Sequence, residues 1–340
     1  MRTAPPPSEQ ERFCAWFGDA RDGILYFGES AFWSEFHKHG DDPKADLLVQ
    51  GPKRVGRFDL RREQMLDPLT VSEQAPSGTW DVLAHPNGRI YFTSFFEPAG
   101  WIDPASGETG SLTALGTGLN ELALGPDGSI FATRYAGSRS PDGGSVVQFD
   151  PDGQLIAEFV IQGPAGYYAA AKSIAWDPVR RRIWVNTDLE PKGGGPVRYD
   201  ARVLDEQGHE LFRYDTPALH FMSFGPDKTG YFAEVAGHVL QLRIVPPDLE
   251  DPDPMAGRVV VLDADFNFGD AVQDVRGDGH GRVVVTRWSG HIHIVEPGDR
   301  VETLVLPRSD AGLYYTGELT DRRVCVTYCA DVDVVCASLP

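Results

Sequence analysis

The sequence predicts an all-β fold, a β-propeller of four-stranded blades, with seven blades as the reading and six as the alternative. Three observations carry it. A strand–turn–strand unit recurs along the chain, and no convincing long amphipathic helix separates the copies. The period is roughly 40–50 residues, the spacing expected when small sheets repeat radially. The whole of 1–340 is therefore expected to be one domain.

The copies follow in order. FCAWFGDARDGILYFGE covers 13–29, WDVLAHPNGRIYFTS 80–94, NELALGPDGSIFATR 120–134 and KSIAWDPVRRRIWVNT 172–187. HFMSFGPDKTGYFAE covers 220–234, QDVRGDGHGRVVVTR 273–287 and YYTGELTDRRVCVTY 314–328. Each is an apolar alternation, a tight polar turn, and a β-branched or aromatic strand, which is a hairpin signature. Third strands and a second turn follow in WIDPASGE, VVQFDPDGQ and ARVLDEQGHE, then fourth strands in LIAEFVI and ELFRYD. The last copy lacks a fourth strand of its own. The N-terminal segment is a poor substitute because of Pro5-Pro6-Pro7. Two segments depart from the repeat: an insert over about 30–54 in blade one, and a Pro- and acid-rich loop over about 245–257 in blade five.

Net charge is −19 with acids spread along the chain, which excludes nucleic acid or an anionic membrane surface as the main partner. The opening MRTAPPPSEQERF has no apolar segment after its arginine, and no apolar run reaches membrane-span length. A cytoplasmic protein is expected. Cys325, Cys329 and Cys336 crowd the C-terminus without the CxxC pairs of a zinc site. Cys325 and Cys336 fall opposite each other in a hairpin. They read as buried thiols, with a disulfide from Cys14 to the C-terminal strands as the alternative.

The register sorts the polar residues by place. Inner strands begin, and second strands end, on one rim. That rim collects Asp81, Asn120, Glu121, Lys172, His220, Asp274, Glu234, Arg134 and Arg287. Glu121 with Arg134, and Asp274 with Arg287, read as pairs across two hairpins. His238 and His291 both follow Gly at the start of third strands, and His293 shares a strand face with His291. His291 and His293 are candidates for a base and its orienter, or for a metal site. The insert contributes Trp33, Phe36, His37 and His39 as a lid, and Tyr168 and Tyr315, in inter-blade loops, extend an aromatic wall.

The recurrent PDG-x-hydrophobic-aromatic-x-T pattern, followed by hydrophobic-x-DP-x-G, resembles the propeller group of gluconolactonase/regucalcin-like, strictosidine-synthase-like and streptogramin-lyase-like proteins. FTSFFEPAGWIDPASGETG over 92–110 is nearest the lyase-like repeat. The resemblance implies an enzyme acting on a small lactone- or ester-like ligand at the channel mouth, by hydrolysis or elimination, with Ca or Mg as cofactor and no organic cofactor. It implies Asn120, Glu121 and Asp274 as metal ligands. His220, Glu234 and His291 take the catalytic roles, and Trp33, Asp81, Lys172, Arg134, Arg287, Tyr168 and Tyr315 hold the substrate. Lys172 stands where the calcium set has Asn, and His220 where it has Asp. A non-catalytic propeller binding a ligand or a protein partner is the alternative.

Overall fold

A computed structural model describes residues 14–30, 51–75, 78–94, 97–135, 143–214, 219–249, 254–267, 270–307, 313–329 and 333–339. These residues build seven antiparallel sheets, each of strands consecutive in sequence. The first six sheets have four strands and the seventh has three among the described residues. This is the fold of a seven-bladed β-propeller. The inner strands are Cys14–Arg21, Val82–Ala84, Leu119–Leu124, Tyr167–Asp177, Leu219–Phe224, Val272–Gly277 and Leu313–Leu319. They match the seven hairpins read from the repeat.

Alternation explains the core, because each small sheet buries apolar residues on both faces. The chain forms two compact units. In residues 123–305, Phe131 and Val146 of the third blade pack on Ala169, Ile174, Trp176 and Val185 of the fourth. On the fourth blade's other face, Ala175, Trp184 and Val203 meet Met222 and Phe232 of the fifth. In the unit of residues 1–122 with 306–340, Ala15, Leu25 and Phe27 pack beside Cys325 and Val334 of the seventh blade. Tyr26 and Val55 pack against Ile90 and Phe92 of the second blade.

The polar turns hold their shape through aspartates that accept from the backbone ahead. Asp150 Oδ1 takes the amides of Asp152 and Gln154 at 3.0 and 2.8 Å, and Asp205 Oδ1 those of Gln207 and His209 at 2.9 and 2.8 Å. These are Asx turns. Gly144 begins the third strand of its blade against the next inner strand, and a Cβ there would lie 2.5 Å from the Ala171 amide.

Two long connections interrupt the repeat. The insert joins Ile24–Ser30 to Gly51–Asp59, and residues 31–50, with Trp33, lie outside the described residues. The acidic loop joins Val239–Val245 to Arg258–Asp263. The cysteine expectation is corrected: Cys325 sits opposite Cys336 and is disulfide-bonded to it, and Cys329 is disulfide-bonded too. The tyrosine placement is also corrected, since Tyr168 and Tyr315 lie on inner strands rather than in inter-blade loops. No helix among the described residues is long and apolar enough to cross a membrane.

Candidate functional site

At the rim, five of the inner strands share an irregularity of pairing. Their pairing slips between Ala15 and Gly18, Ala171 and Ser173, Leu219 and Phe221, Val272 and Asp274, and Tyr314 and Gly317. Each slip is a bulge, which bends the strand and re-aims the extra residue. Lys172, His220, Gln273 and Tyr315 all occupy such positions.

Second-strand threonines lock this geometry from the neighbouring blade. Thr93 Oγ1 accepts the Asp81 amide at 3.0 Å and donates to the Asn120 carbonyl at 2.6 Å. Thr327 Oγ1 accepts from the Thr316 amide and donates to the Trp16 carbonyl, both at 2.9 Å. Thr133 Oγ1 donates to the Lys172 carbonyl at 2.9 Å. The x-T ending of the second strand thus ties the next inner strand at Thr93, Thr133 and Thr327.

In the first unit the rim is largely closed by rings. Trp16 lies 4.1 Å from Trp80 and 4.9 Å from Tyr315, centroid to centroid, and Phe17 packs edge-on to both Trp80 and Tyr315. Burial pushes the Tyr315 hydroxyl well above its ordinary pKa. Asp81 Oδ2 accepts the Leu122 amide at 2.7 Å, as Asp19 Oδ2 accepts the Ala84 amide at 3.0 Å. Asp81 therefore ties adjacent inner strands together. Asn120 is buried and Glu121 half-buried at the same level.

In the second unit the rim is charged. Buried Glu234 accepts from Gln241 Nε2 at 2.5 Å and from Arg243 Nη2 at 2.6 Å, so its carboxylate is committed within its blade. Arg134 Nε donates to Glu158 at 3.1 Å. His220 is the bulge residue of its strand. Lys172 approaches Asp188 at 3.9 Å, and the Lys192 ammonium lies 4.9 Å from the Tyr168 ring centroid.

The sixth blade brings the most groups together. Arg287 stands opposite Val272, not Asp274, and is nearly buried. Its guanidinium pairs with Asp263 at 2.7 Å and with Asp270 at 2.7 Å. Asp274 pairs instead with Arg276 at 2.8 Å. The expected Asp274–Arg287 pair is thereby corrected. Asp270 Oδ2 also takes the Ser289 hydroxyl at 2.5 Å, and Ser289 Oγ lies 2.6 Å from His291 Nδ1.

The proton positions in this relay follow from chemistry. A carboxylate only accepts, so the single Ser289 proton goes to Asp270. Ser289 Oγ must then accept from Nδ1–H of His291. The neutral ring consequently carries its lone pair on Nε2, and the side chain is 40% exposed. This arrangement differs from a serine-nucleophile triad, where serine and aspartate engage opposite ring nitrogens.

Behind it, His293 Nε2 lies 3.4 Å from Arg287 Nη1 and its Nδ1 lies 3.0 Å from Thr303 Oγ1. Burial, with the Arg287 charge beside it, pushes His293 down to about 4.

The expected metal set fits poorly. Both carboxylate oxygens of Asp274 are taken, by the Val275 amide and by Arg276 Nε at 2.8 Å each. Lys172 brings an ammonium to the register where the calcium set has Asn. Such donors do not suit Ca²⁺ or Mg²⁺, whose sites are built from available oxygens.

Asp270, Ser289, Asp188 and Glu190 were not singled out in the sequence. Ser289 had a signal, two residues before a rim histidine in SGHIH. Asp270 had none, since it arrives from the connection between blades.

No family model and no curated protein matches the chain. Solved structures do. A catalytically inactive variant of virginiamycin B lyase from Staphylococcus aureus, solved with quinupristin, is similar at TM-score 0.61 and 12% identity, covering 97% of this chain and 96% of that one. A chain of the mitotic checkpoint complex is similar at TM-score 0.59 and 10% identity, covering 98% and 88%. At such identities the likeness is one of fold.

Proposed function

We propose that the protein is an enzyme acting on a small lactone- or ester-like molecule at the rim of the sixth blade, with His291 as general base. One observation carries this reading: the Asp270–Ser289–His291 relay fixes the tautomer that leaves Nε2 free to take a proton. Removing a proton from carbon would open the ring by elimination; removing one from water would open it by hydrolysis. In either case the imidazolium that forms is stabilised through Ser289 by Asp270, which Arg287 and the Ser289 amide hold in place. The resemblance to lyase-like repeats and the fold likeness to a lyase favour elimination. No step is routed through a metal, because Asp274 and Lys172 offer no open oxygen set.

A panel of lactones and aryl esters, followed by mass spectrometry, tests this. From a lactone, elimination gives a product of unchanged mass and hydrolysis adds one water; from an aryl ester, hydrolysis releases the acid and the phenol. His291→Ala is expected to lower turnover by about 10²–10⁴-fold. Undiminished turnover in that variant would remove His291 from the role.

The non-catalytic reading rests on the outer strand of the third blade, where Leu155, Ile156 and Val160 are each more than half exposed. Copurification of a protein partner lost on Ile156→Lys would favour it. The Cys325–Cys336 bond favours an oxidising compartment over the expected cytoplasmic one.

A further inference from the structure

The inner hairpin of the fourth blade is longer than the others of its unit, with strands of 11 and 10 residues, Tyr167–Asp177 and Arg182–Pro191. Its rim end places Tyr168 opposite Glu190, Ala170 opposite Asp188, and Ser173 opposite Asn186. Glu190, Asp188 and Asn186 alternate, so with their partners they form one stripe on a single face. Trp184 and Ala175 continue that face and pack on Met222 and Phe232 of the fifth blade, whereas at the rim end Glu190 reaches the Tyr135 hydroxyl of the third.

Exposure falls along the stripe. Tyr168 and Glu190 are half-buried, the Asp188 side chain is 14% exposed, and Ser173 is 1% exposed. Ser173 Oγ and Asp188 Oδ1 are sealed from solvent and have no hydrogen-bond partner among the described residues. Buried polar atoms are nearly always satisfied, and two orphans on adjacent rungs mark a place for an absent partner. Lys172, on the bulge between those rungs, holds its ammonium 3.9 Å from Asp188 Oδ2, beyond hydrogen-bond reach, with 43% of its side chain exposed. Glu190 is occupied by the Tyr135 hydroxyl at 3.0 Å. Burial raises the Asp188 pKa; Lys172 opposes the shift and Glu190 adds to it.

We propose that this stripe binds a carboxamide group, its carbonyl oxygen accepting from Lys172 and its N–H donating to Asp188 Oδ1. The needs of the site select that chemistry. A carboxylate ligand supplies no donor to Oδ1 and meets two acids. An alkylammonium satisfies Oδ1 but meets Lys172. A planar amide offers a donor and an acceptor side by side without net charge. The Ser173 hydroxyl, free to rotate, then donates to the same carbonyl. The proposal is independent of the His291 reading.

Saturation-transfer NMR on the full chain, with isobutyramide, isobutyrate and isobutylammonium at matched concentration, tests it. The amide is expected to bind at least about tenfold more tightly than the acid or the amine, and to lose about tenfold in Lys172→Met and in Asp188→Leu. His291→Ala should bind it unchanged. Lys172 is half-exposed, so its variant keeps the fold even where Asp188→Leu does not. Equal binding of the three probes, binding that survives Lys172→Met, or no binding because water fills the stripe would each overturn the proposal.

Discussion

His293 Nε2 accepts from the guanidinium of Arg287, so a proton on that nitrogen would set imidazolium against guanidinium in a buried site. His293 is accordingly held down to about 4 against an ordinary 6.5. As pH falls, the unfolded chain takes up this proton before the folded one does. The contribution is full above about pH 6.5 and declines through the window from there to about 4, a loss on the order of 3 kcal/mol by its end. His293→Gln should flatten the dependence of the urea midpoint on pH across that window. An unchanged profile would show that another group sets it.

If His291 is the base proposed above, Ser289 is its positioning residue. Without its oxygen, Nδ1–H loses its acceptor and the ring is free to rotate or change tautomer. Ser289→Ala should lower kcat by about 10–100-fold with little change in KM. It should also move the pH–rate profile, which a purely structural loss would leave in place. Ser289→Thr, retaining the oxygen, should recover most of the rate.

Two threonines at equivalent positions predict opposite outcomes. Thr133 donates to the Lys172 carbonyl, whereas Thr187 Oγ1 is buried without a partner among the described residues. Thr133→Val orphans a carbonyl and should cost about 1–3 kcal/mol. Thr187→Val removes an unsatisfied hydroxyl and should be neutral or stabilising. Thermal melts of the two variants, measured together, check the contrast.

Glu234 has a structural commitment that its rim position does not reveal. It was an attractive acid in the sequence, yet its carboxylate is the counter-charge of Arg243. Glu234→Ala should destabilise by about 3 kcal/mol, leaving a largely buried cation uncompensated. Any turnover, corrected for folded protein, should persist. Denaturant titration alongside activity separates the two effects.

The repeat made the blades legible because each hairpin is local: the turn aspartates, the alternation and the closing threonine all lie within about fifteen residues. The positions of the insert and the acidic loop were legible for the same reason. Of the candidate site, the sequence shows only register, such as His291 at the start of a third strand. It does not show the partners, since bulges break the simple count across a hairpin. The slip at Gln273 puts Val272 opposite Arg287 and sends Asp274 to Arg276. Arg287 then takes Asp263 and Asp270, from an outer strand and a connection. Such contacts depend on how neighbouring sheets pack, which a period in the sequence does not encode.

The bond between Cys325 and Cys336 also bears on how the outer strand of the seventh sheet is held. That strand, Asp333–Ser338, has only the second-strand neighbour Arg323–Cys329 beside it among the described residues. A strand paired on one side opens readily. With the bond intact, hydrogen exchange at the amides of Val335 and Cys336 should stay slow. Once the bond is reduced, that exchange should quicken. The final hairpin is thus guarded by chemistry rather than by its hydrogen bonds.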